Sequence, residues 1–133
     1  FNDFVVYENA LYGFDGAIFA CVDLESGEVQ WKERGYDSGQ VLLLADQGLL
    51  IVQAETGELA LLEANTEELR ELAKIPALSG KTWNHPVVAH GLLFARNGEE
   101  MICFELPLES KQATTPVSVS GETKGAEEEP AQP

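Results

Sequence analysis

The sequence has few cationic side chains. Only 8 of its 133 residues are Lys or Arg, against 23 Asp or Glu, so the formal net charge is −15. Nucleic-acid binding depends on Lys and Arg that neutralise phosphates, and anionic membrane surfaces attract basic segments for the same reason. The composition therefore excludes nucleic acid as a partner and argues against direct binding to a membrane surface.

Long apolar runs are also missing. None approaches the roughly 20 residues of a membrane-spanning helix, so we expect no direct membrane insertion. Hydrophobic residues nevertheless make up 44% of a chain of single-domain length, which is enough for a core. The sequence starts at Phe1 and its one Met is Met101. We expect Phe1 to follow a processing event or a cut within a longer protein, so that any signal peptide would lie upstream.

Aromatic residues are absent from the C-terminal end, 107–133, which holds four of the six prolines and a run of three Glu at 127–129. Such a composition cannot bury enough apolar surface to offset the entropy lost on ordering. We predict a disordered acidic tail there. A solvated end is favoured over an acidic interaction segment.

Short apolar segments separated by Gly, Asn and Asp fill the rest of the chain. Residues with high strand propensity flank turns at 8–9, 46–48 and 90–91. This arrangement is typical of β-hairpins, because Gly and Asn tolerate the backbone angles of a tight turn. The sequence therefore predicts a series of antiparallel hairpins.

The hairpins recur with a period of about 40 residues. Aligning the turns gives offsets of 39 and 43, and aligning the acidic residues that end each third strand gives 40 and 42. The aligned residues are Asn9, Gly48 and Gly91 at the turns, and Asp23, Glu63 and Glu105 at the strand ends. About 40 residues is the length of one four-stranded blade of a β-propeller.

We therefore predict an all-β fold, a partial β-propeller of about three blades, each an antiparallel four-stranded sheet. The repeat units are expected at about 4–33, 41–75 and 86–105, with strands A to D in chain order. The third unit ends after strand C, so the last blade lacks its outer strand. A closed propeller needs about 4 to 8 blades, and we expect residues 1–106 to be the C-terminal part of a larger one.

The segment 65–75 admits two interpretations. The repeat places strand D of unit 2 there, at about 69–75. However, Asn65 followed by Glu68 matches a helix capping box, and Leu69 and Leu72 stand at helical spacing. A strand is favoured over a short helix, and both stay open at this point.

The two cysteines, Cys21 and Cys103, fall at equivalent positions of units 1 and 3. A disulfide needs Cα atoms within about 7 Å, whereas sheets pack about 10 Å apart, so an intervening blade separates the two thiols. We predict two buried free cysteines and no disulfide. No Cys or His pair has the spacing of a zinc site, and no metal site is predicted.

The stretch "VDLESGEVQW" (22–31) contains a recognisable motif. Its elements are a small residue, an Asp, a Ser-Gly turn and a Trp, here Cys21, Asp23, Ser26, Gly27 and Trp31. This resembles the docking motif of the pyrroloquinoline-quinone-like (PQQ-like) β-propeller repeat family. The resemblance covers 1–106, implies a structural role for these residues, and places Leu72 near the Trp position of a decayed copy in unit 2.

The resemblance implies a non-catalytic scaffold for protein or peptide interaction, with a protein, a peptide or further blades as partners. The family includes a propeller lipoprotein of the outer-membrane β-barrel assembly machinery, which implies a periplasmic or extracytoplasmic location. The alternative is part of a PQQ-dependent alcohol or sugar dehydrogenase whose catalytic residues, PQQ and calcium site lie in other blades. Such enzymes use adjacent cysteines, and this sequence has none. We assign no catalytic residue and no cofactor.

A candidate binding site follows from the loops. In a propeller, the D-to-A and B-to-C connections share one face, and in unit 3 these are 80–86 and 95–100. The candidate residues are Lys81, Trp83, Asn84, His85, Arg96 and Asn97. Two cations, an aromatic ring, two amides and an imidazole could bind a small anion or a peptide. The competing interpretation is structural packing, in which Trp83 caps the channel, Asn84 fixes a turn and His85 bonds to backbone.

Overall fold

A computed structural model describes residues 2–107, so the predicted tail over 107–133 lies outside the described residues apart from Pro107. The described part is built of strands, with a single 3-10 turn at Ala45–Gln47. The strands are β1 Phe4–Tyr7, β2 Ala10–Asp15, β3 Ile18–Asp23, β4 Val29–Glu33, β5 Gly39–Leu44, β6 Leu49–Ala54, β7 Glu58–Glu63, β8 Arg70–Pro76, β9 Val87–Ala89, β10 Leu92–Arg96 and β11 Met101–Glu105. No helix within residues 2–107 is long and apolar enough to cross a membrane.

The strands form three antiparallel sheets, which we call blade 1 (β1–β4), blade 2 (β5–β8) and blade 3 (β9–β11). In each blade, consecutive strands are neighbours, so the chain runs up and down from the inner to the outer strand. Among the described residues, no strand pairs with the outer edge of β11. The prediction of an all-β partial propeller of three blades, the last without its outer strand, is confirmed.

The same hydrogen bond closes each blade at the end of its third strand. A backbone N–H just after that strand donates to the carbonyl of the turn between strands A and B. The pairs are Leu24 to Asn9 at 2.9 Å, Ala64 to Gly48 at 2.9 Å and Leu106 to Gly91 at 2.7 Å. The donors and acceptors stand one period apart, which shows that the three units share one backbone geometry.

The segment 65–75 contains a strand, β8, which pairs along β7, so the strand interpretation is confirmed and the helical one is wrong. Asn65, the first residue of the capping-box pattern, does accept a backbone hydrogen bond, but it does so in a turn and not at the start of a helix. Asn65 Oδ1 accepts a hydrogen bond from the N–H of Glu67 at 2.8 Å. An Asn side chain that bonds two residues ahead stabilises a turn, and pairing with β7 then overrides the local helical pattern.

Aromatic side chains fill the space between blades 1 and 2. Trp31 lies among them and is only 9% exposed. Its ring centroid is 6.2 Å from that of Tyr12 and 5.8 Å from that of Phe19, and Phe19 is 6.0 Å from Tyr36. Trp31 Nε1 donates to the carbonyl of Asn65 in blade 2 at 2.8 Å. The Trp31 ring therefore packs against aromatic side chains of blade 1 and donates a hydrogen bond to the backbone of blade 2.

The position in blade 2 that is equivalent to Trp31 holds Ala73, and Leu72, which the resemblance placed near this position, is its immediate neighbour. Cys21 pairs with Trp31 across β3 and β4, and Leu61 pairs with Ala73 across β7 and β8. The register shifts immediately after each pair, so one residue of the outer strand is left without an opposite partner. Leu72 is this extra residue of a β-bulge, and it is 48% exposed.

Both cysteines are free, but only Cys21 is buried. The prediction of burial is wrong for Cys103, because this residue lies on β11, the edge strand of its sheet. Cys21 lies in the interface beside Tyr12, and desolvation by burial raises the pKa of its thiol. The two cysteines therefore occupy equivalent positions in the repeat, but one is buried between blades and the other is exposed.

We predict that Trp31→Ala destabilises the protein by about 3–5 kcal/mol, the usual cost of truncating a large buried aromatic side chain. The change empties the interface and leaves the Asn65 carbonyl without its donor. Urea unfolding followed by circular dichroism measures the effect. Trp83→Ala is the control, because Trp83 is 49% exposed, so its truncation removes less buried surface and should cost clearly less than that of Trp31. Equal unfolding midpoints for the two variants would contradict the assignment.

We also predict that the two thiols react at very different rates with an aromatic disulfide reagent at pH 8. The thiolate is the reactive form. Cys21 is buried away from the reagent, and desolvation by burial raises the pKa of its thiol. In the native protein, Cys103 should react in seconds to minutes and Cys21 only after unfolding. Replacement of Cys103 by Ser should abolish the fast phase. Two fast thiols in the native protein would exclude a buried Cys21.

Candidate functional site

Asp23 organises the turn between β3 and β4. Its Oδ1 accepts from the N–H of Glu25 at 3.1 Å and from the N–H and hydroxyl of Ser26 at 2.7 and 2.8 Å. Its Oδ2 accepts from the amide of Asn9 at 3.0 Å. The hydrogen bonds from the Ser26 backbone and side chain hold the pKa of Asp23 below its ordinary value. The carboxylate is thus occupied by the turn itself.

Gly27 completes this turn with a φ of 73°, in the left-handed region where a side chain would be strained. Its N–H donates to the Asp23 carbonyl at 2.9 Å. The turn sets the direction of β4 and so brings Trp31 against blade 2. In the structure, Asp23, Ser26 and Gly27 make contacts that build the turn, and Trp31 makes contacts between blades.

The loop 80–86 is anchored by Thr82, which is fully buried. The N–H of Thr82 donates to the Glu55 carbonyl at 2.9 Å, and its hydroxyl donates to the Gly80 carbonyl at 3.2 Å. The residues on either side, Lys81 and Trp83, are exposed. Lys81 Nζ lies 5.2 Å from the centre of the Trp83 ring and 3.5 Å from Glu55 Oε1. We call Glu55, Lys81 and Trp83 the Trp83 patch.

Gln53 ties the two connections of blade 3 to blade 2. It is fully buried in β6, and its Nε2 donates to the carbonyls of Asn84 at 2.9 Å and Arg96 at 3.4 Å. Its Oε1 has no hydrogen-bond partner among the described residues. The sequence analysis missed Gln53. The available signal was an uncharged polar residue within the apolar strand "LLIVQA".

The remaining candidates are engaged elsewhere. His85 Nε2 lies 2.7 Å from Asp3 Oδ2, and its Nδ1 lies 3.0 Å from the Pro86 carbonyl. Asn97 is 6% exposed, and its Nδ2 donates to the Ser79 carbonyl at 2.7 Å. Its Oδ1 accepts two backbone N–H groups within its own loop, at 2.9 Å each. His85 therefore reaches towards blade 1, and the Asn97 amide closes a turn.

Of the six predicted residues, the structure joins Lys81 and Trp83 through side chains, and Asn84 and Arg96 through backbone. The patch offers a half-exposed indole, an ammonium and a carboxylate, which can recognise an apolar group beside a charge. Within residues 2–107 there is no group of three or more His, Cys, Asp or Glu placed to hold a metal ion. The binding role of the six residues stays a prediction.

No protein-family model and no curated protein matches the sequence. Solved structures do resemble it. One is a chain in a crystal structure of the mitotic checkpoint complex, with a TM-score of 0.68 and 9% identity over 78% of this chain and 36% of that chain. Another is BamB from Moraxella catarrhalis, with a TM-score of 0.56 and 11% identity over 75% of this chain and 29% of that chain.

A third similar structure is the computationally designed Ika4 protein, with a TM-score of 0.50 and 5% identity over 79% of this chain and 90% of that chain. The chain thus spans about a third of the length of the first two structures. At these identities the likeness concerns the fold, which is that of a β-propeller.

We predict a pH-dependent contribution of Asp23 to stability. Because the folded-state pKa lies below the ordinary value of about 3.9, the stabilisation is fully present above that value and is lost as pH falls through the folded pKa. The Asp23→Asn variant cannot titrate there. The difference in urea midpoint between wild type and variant should be constant above about pH 5 and shrink below about pH 4. A difference that does not change with pH would refute a role for the carboxylate charge.

Proposed function

We propose that this chain is a non-catalytic β-propeller scaffold that binds a protein or peptide through the Trp83 patch. The observation that carries the proposal is the position of Trp83. Its side chain is 49% exposed, whereas the preceding residue of the loop, Thr82, is fully buried. A large ring is thus presented to solvent by a fixed backbone. Trp is among the residues that dominate the energy of protein interfaces.

The rigidity of the loop favours binding. Ordering a loop or a side chain on association costs free energy, and a loop already fixed by Thr82 and Gln53 avoids much of that cost. Lys81 adds a cation to an otherwise acidic molecule and is 73% exposed at its side chain. We therefore expect a peptide that places a carboxylate next to an apolar or aromatic side chain.

The proposal includes membership of the PQQ-like repeat family. It is supported by the turn formed by Asp23, Ser26 and Gly27 and by Trp31, which lies between two blades. We propose further that the chain is part of a larger propeller, and its coverage of about a third of two propeller chains supports this. The periplasmic or extracytoplasmic location is proposed from the family resemblance.

We predict that the protein selects peptides from a displayed random library and that Trp83→Ala lowers their affinity about tenfold or more, since truncating an interface Trp commonly costs at least 2 kcal/mol. Lys81→Ala should weaken mainly the peptides that carry an acidic residue. Titration calorimetry with the selected peptides measures both effects. His85→Ala and Arg96→Ala test whether the site extends to the neighbouring loop residues.

The matched control is the double variant Val29→Ala and Lys32→Ala, which removes an exposed apolar residue and a cation from β4 of blade 1. It should leave the affinity unchanged. Equal binding by wild type and Trp83→Ala would remove the patch from consideration. Dye-linked alcohol or sugar oxidation after addition of PQQ and calcium would overturn the scaffold proposal in favour of the dehydrogenase.

A further inference from the structure

The interface between blades 2 and 3 differs from that between blades 1 and 2 at equivalent positions. The strand register makes Ala73 the counterpart of Trp31. It also makes Ile51 the counterpart of Tyr12. Tyr12 pairs with Cys21, the partner of Trp31, and Ile51 pairs with Leu61, the partner of Ala73. The large rings of the first interface are therefore replaced by smaller aliphatic side chains in the second.

The smaller side chains leave an apolar cavity of about 230 Å³ between blades 2 and 3. The cavity is open to solvent, and Ala73 in its wall is exposed. Its walls come from both blades and are almost wholly apolar. Residues that define it are Ile51, Leu59, Leu61 and Ala73 on blade 2, and Leu93 and Phe104 on blade 3. The cavity thus occupies the place that the Trp31 ring fills one interface earlier.

Lys74 is the one charged residue among the described residues that line this cavity. Its ammonium points away, 3.2 Å from Glu58 Oε2 and 3.2 Å from the Gly35 carbonyl, to which it donates. It also lies 5.1 Å from the centre of the Tyr36 ring. The alkyl stem of Lys74 therefore borders the cavity while its charge is paired outside it.

A hydrogen-bond acceptor is also available. Trp31 donates to the carbonyl of Asn65, the second residue after β7. The corresponding residue after β11 is Pro107, since Leu106 is equivalent to Ala64 in the conserved turn bond. An adjoining cavity of about 270 Å³ shares Ile51, Leu61 and Leu106 with the first and extends to Pro107. By the equivalence with Asn65, the carbonyl of Pro107 is the acceptor that we expect an indole beside Ala73 to use.

We propose that the cavity between blades 2 and 3 binds a small indole-like molecule, with its ring against Ala73 and its N–H towards the Pro107 carbonyl. An apolar cavity of about 150 Å³ is large enough to bind benzene, so the 230 Å³ of this open cavity has room for a bicyclic ring. Trp31 shows that the equivalent position between blades 1 and 2 accepts an indole whose N–H donates to a backbone carbonyl. The proposal is independent of peptide binding at the Trp83 patch.

The test is titration of the full chain with indole, followed by NMR of labelled Ile and Leu methyl groups. We expect saturable shifts at Ile51, Leu61 and Leu93, and weaker binding of 1-methylindole, which has no N–H. Ala73→Trp fills the cavity from within and should lower indole affinity at least tenfold. Leu72→Trp is the control, because it adds the same side chain at the exposed bulge position and should leave indole binding unchanged.

Absence of shifts at millimolar indole in the wild type would overturn the proposal, as would binding that Ala73→Trp leaves intact. If Ala73→Trp does not fold, Ala73→Leu fills part of the space and should still weaken binding several-fold, and no weakening would count against the site. Equal affinity for 1-methylindole would exclude the Pro107 contact and so the proposed orientation. Much tighter binding of N-acetyltryptophanamide than of indole would assign the cavity to a partner's side chain and overturn the small-molecule proposal.

Discussion

The packing of Trp31 between blades 1 and 2 is the contact on which the geometry of this molecule depends. A single sheet cannot bury both its faces, so each blade needs a neighbour. The indole supplies a large apolar surface, and its N–H would be costly to bury without the Asn65 carbonyl. The Asp23 turn fixes the outer strand that carries the ring. Burial, hydrogen bonding and turn geometry thus act together at one point of contact.

Much of the fold could be predicted because its signals are local. The hairpin turns and the acidic strand ends recur at a regular spacing, and that spacing located all three sheets. What failed depends on contacts that spacing does not record. A one-residue bulge exchanges Leu72 for Ala73 at the interface. Cys103 is exposed because β11 is the edge strand of its sheet. The absence of an outer strand was predicted, but the equivalence of Cys103 with Cys21 in the repeat led to a prediction of burial.

The candidate site was predictable at the level of loops and less so at the level of side chains. The two connections of blade 3 do meet, and Lys81 lies over Trp83. The amide of Asn97, however, is used by its own turn, a role that an isolated Asn in a sequence does not reveal. The buried Gln53 holds the connections together from the neighbouring blade. The loops of the proposed binding face are therefore held by a residue that is itself buried.

The unequal filling of the two interfaces has a consequence for the order in which the molecule opens. In an array of repeats, stability is roughly a sum of each unit and its contacts with its nearest neighbours. The interface lined by Trp31, Tyr12 and Phe19 is filled, while the interface at Ala73 has a cavity that is open to solvent. Sub-global opening should therefore begin with blade 3 parting from blade 2, which makes amide protons of β9–β11 the first to exchange and blades 1 and 2 the cooperative unit that persists.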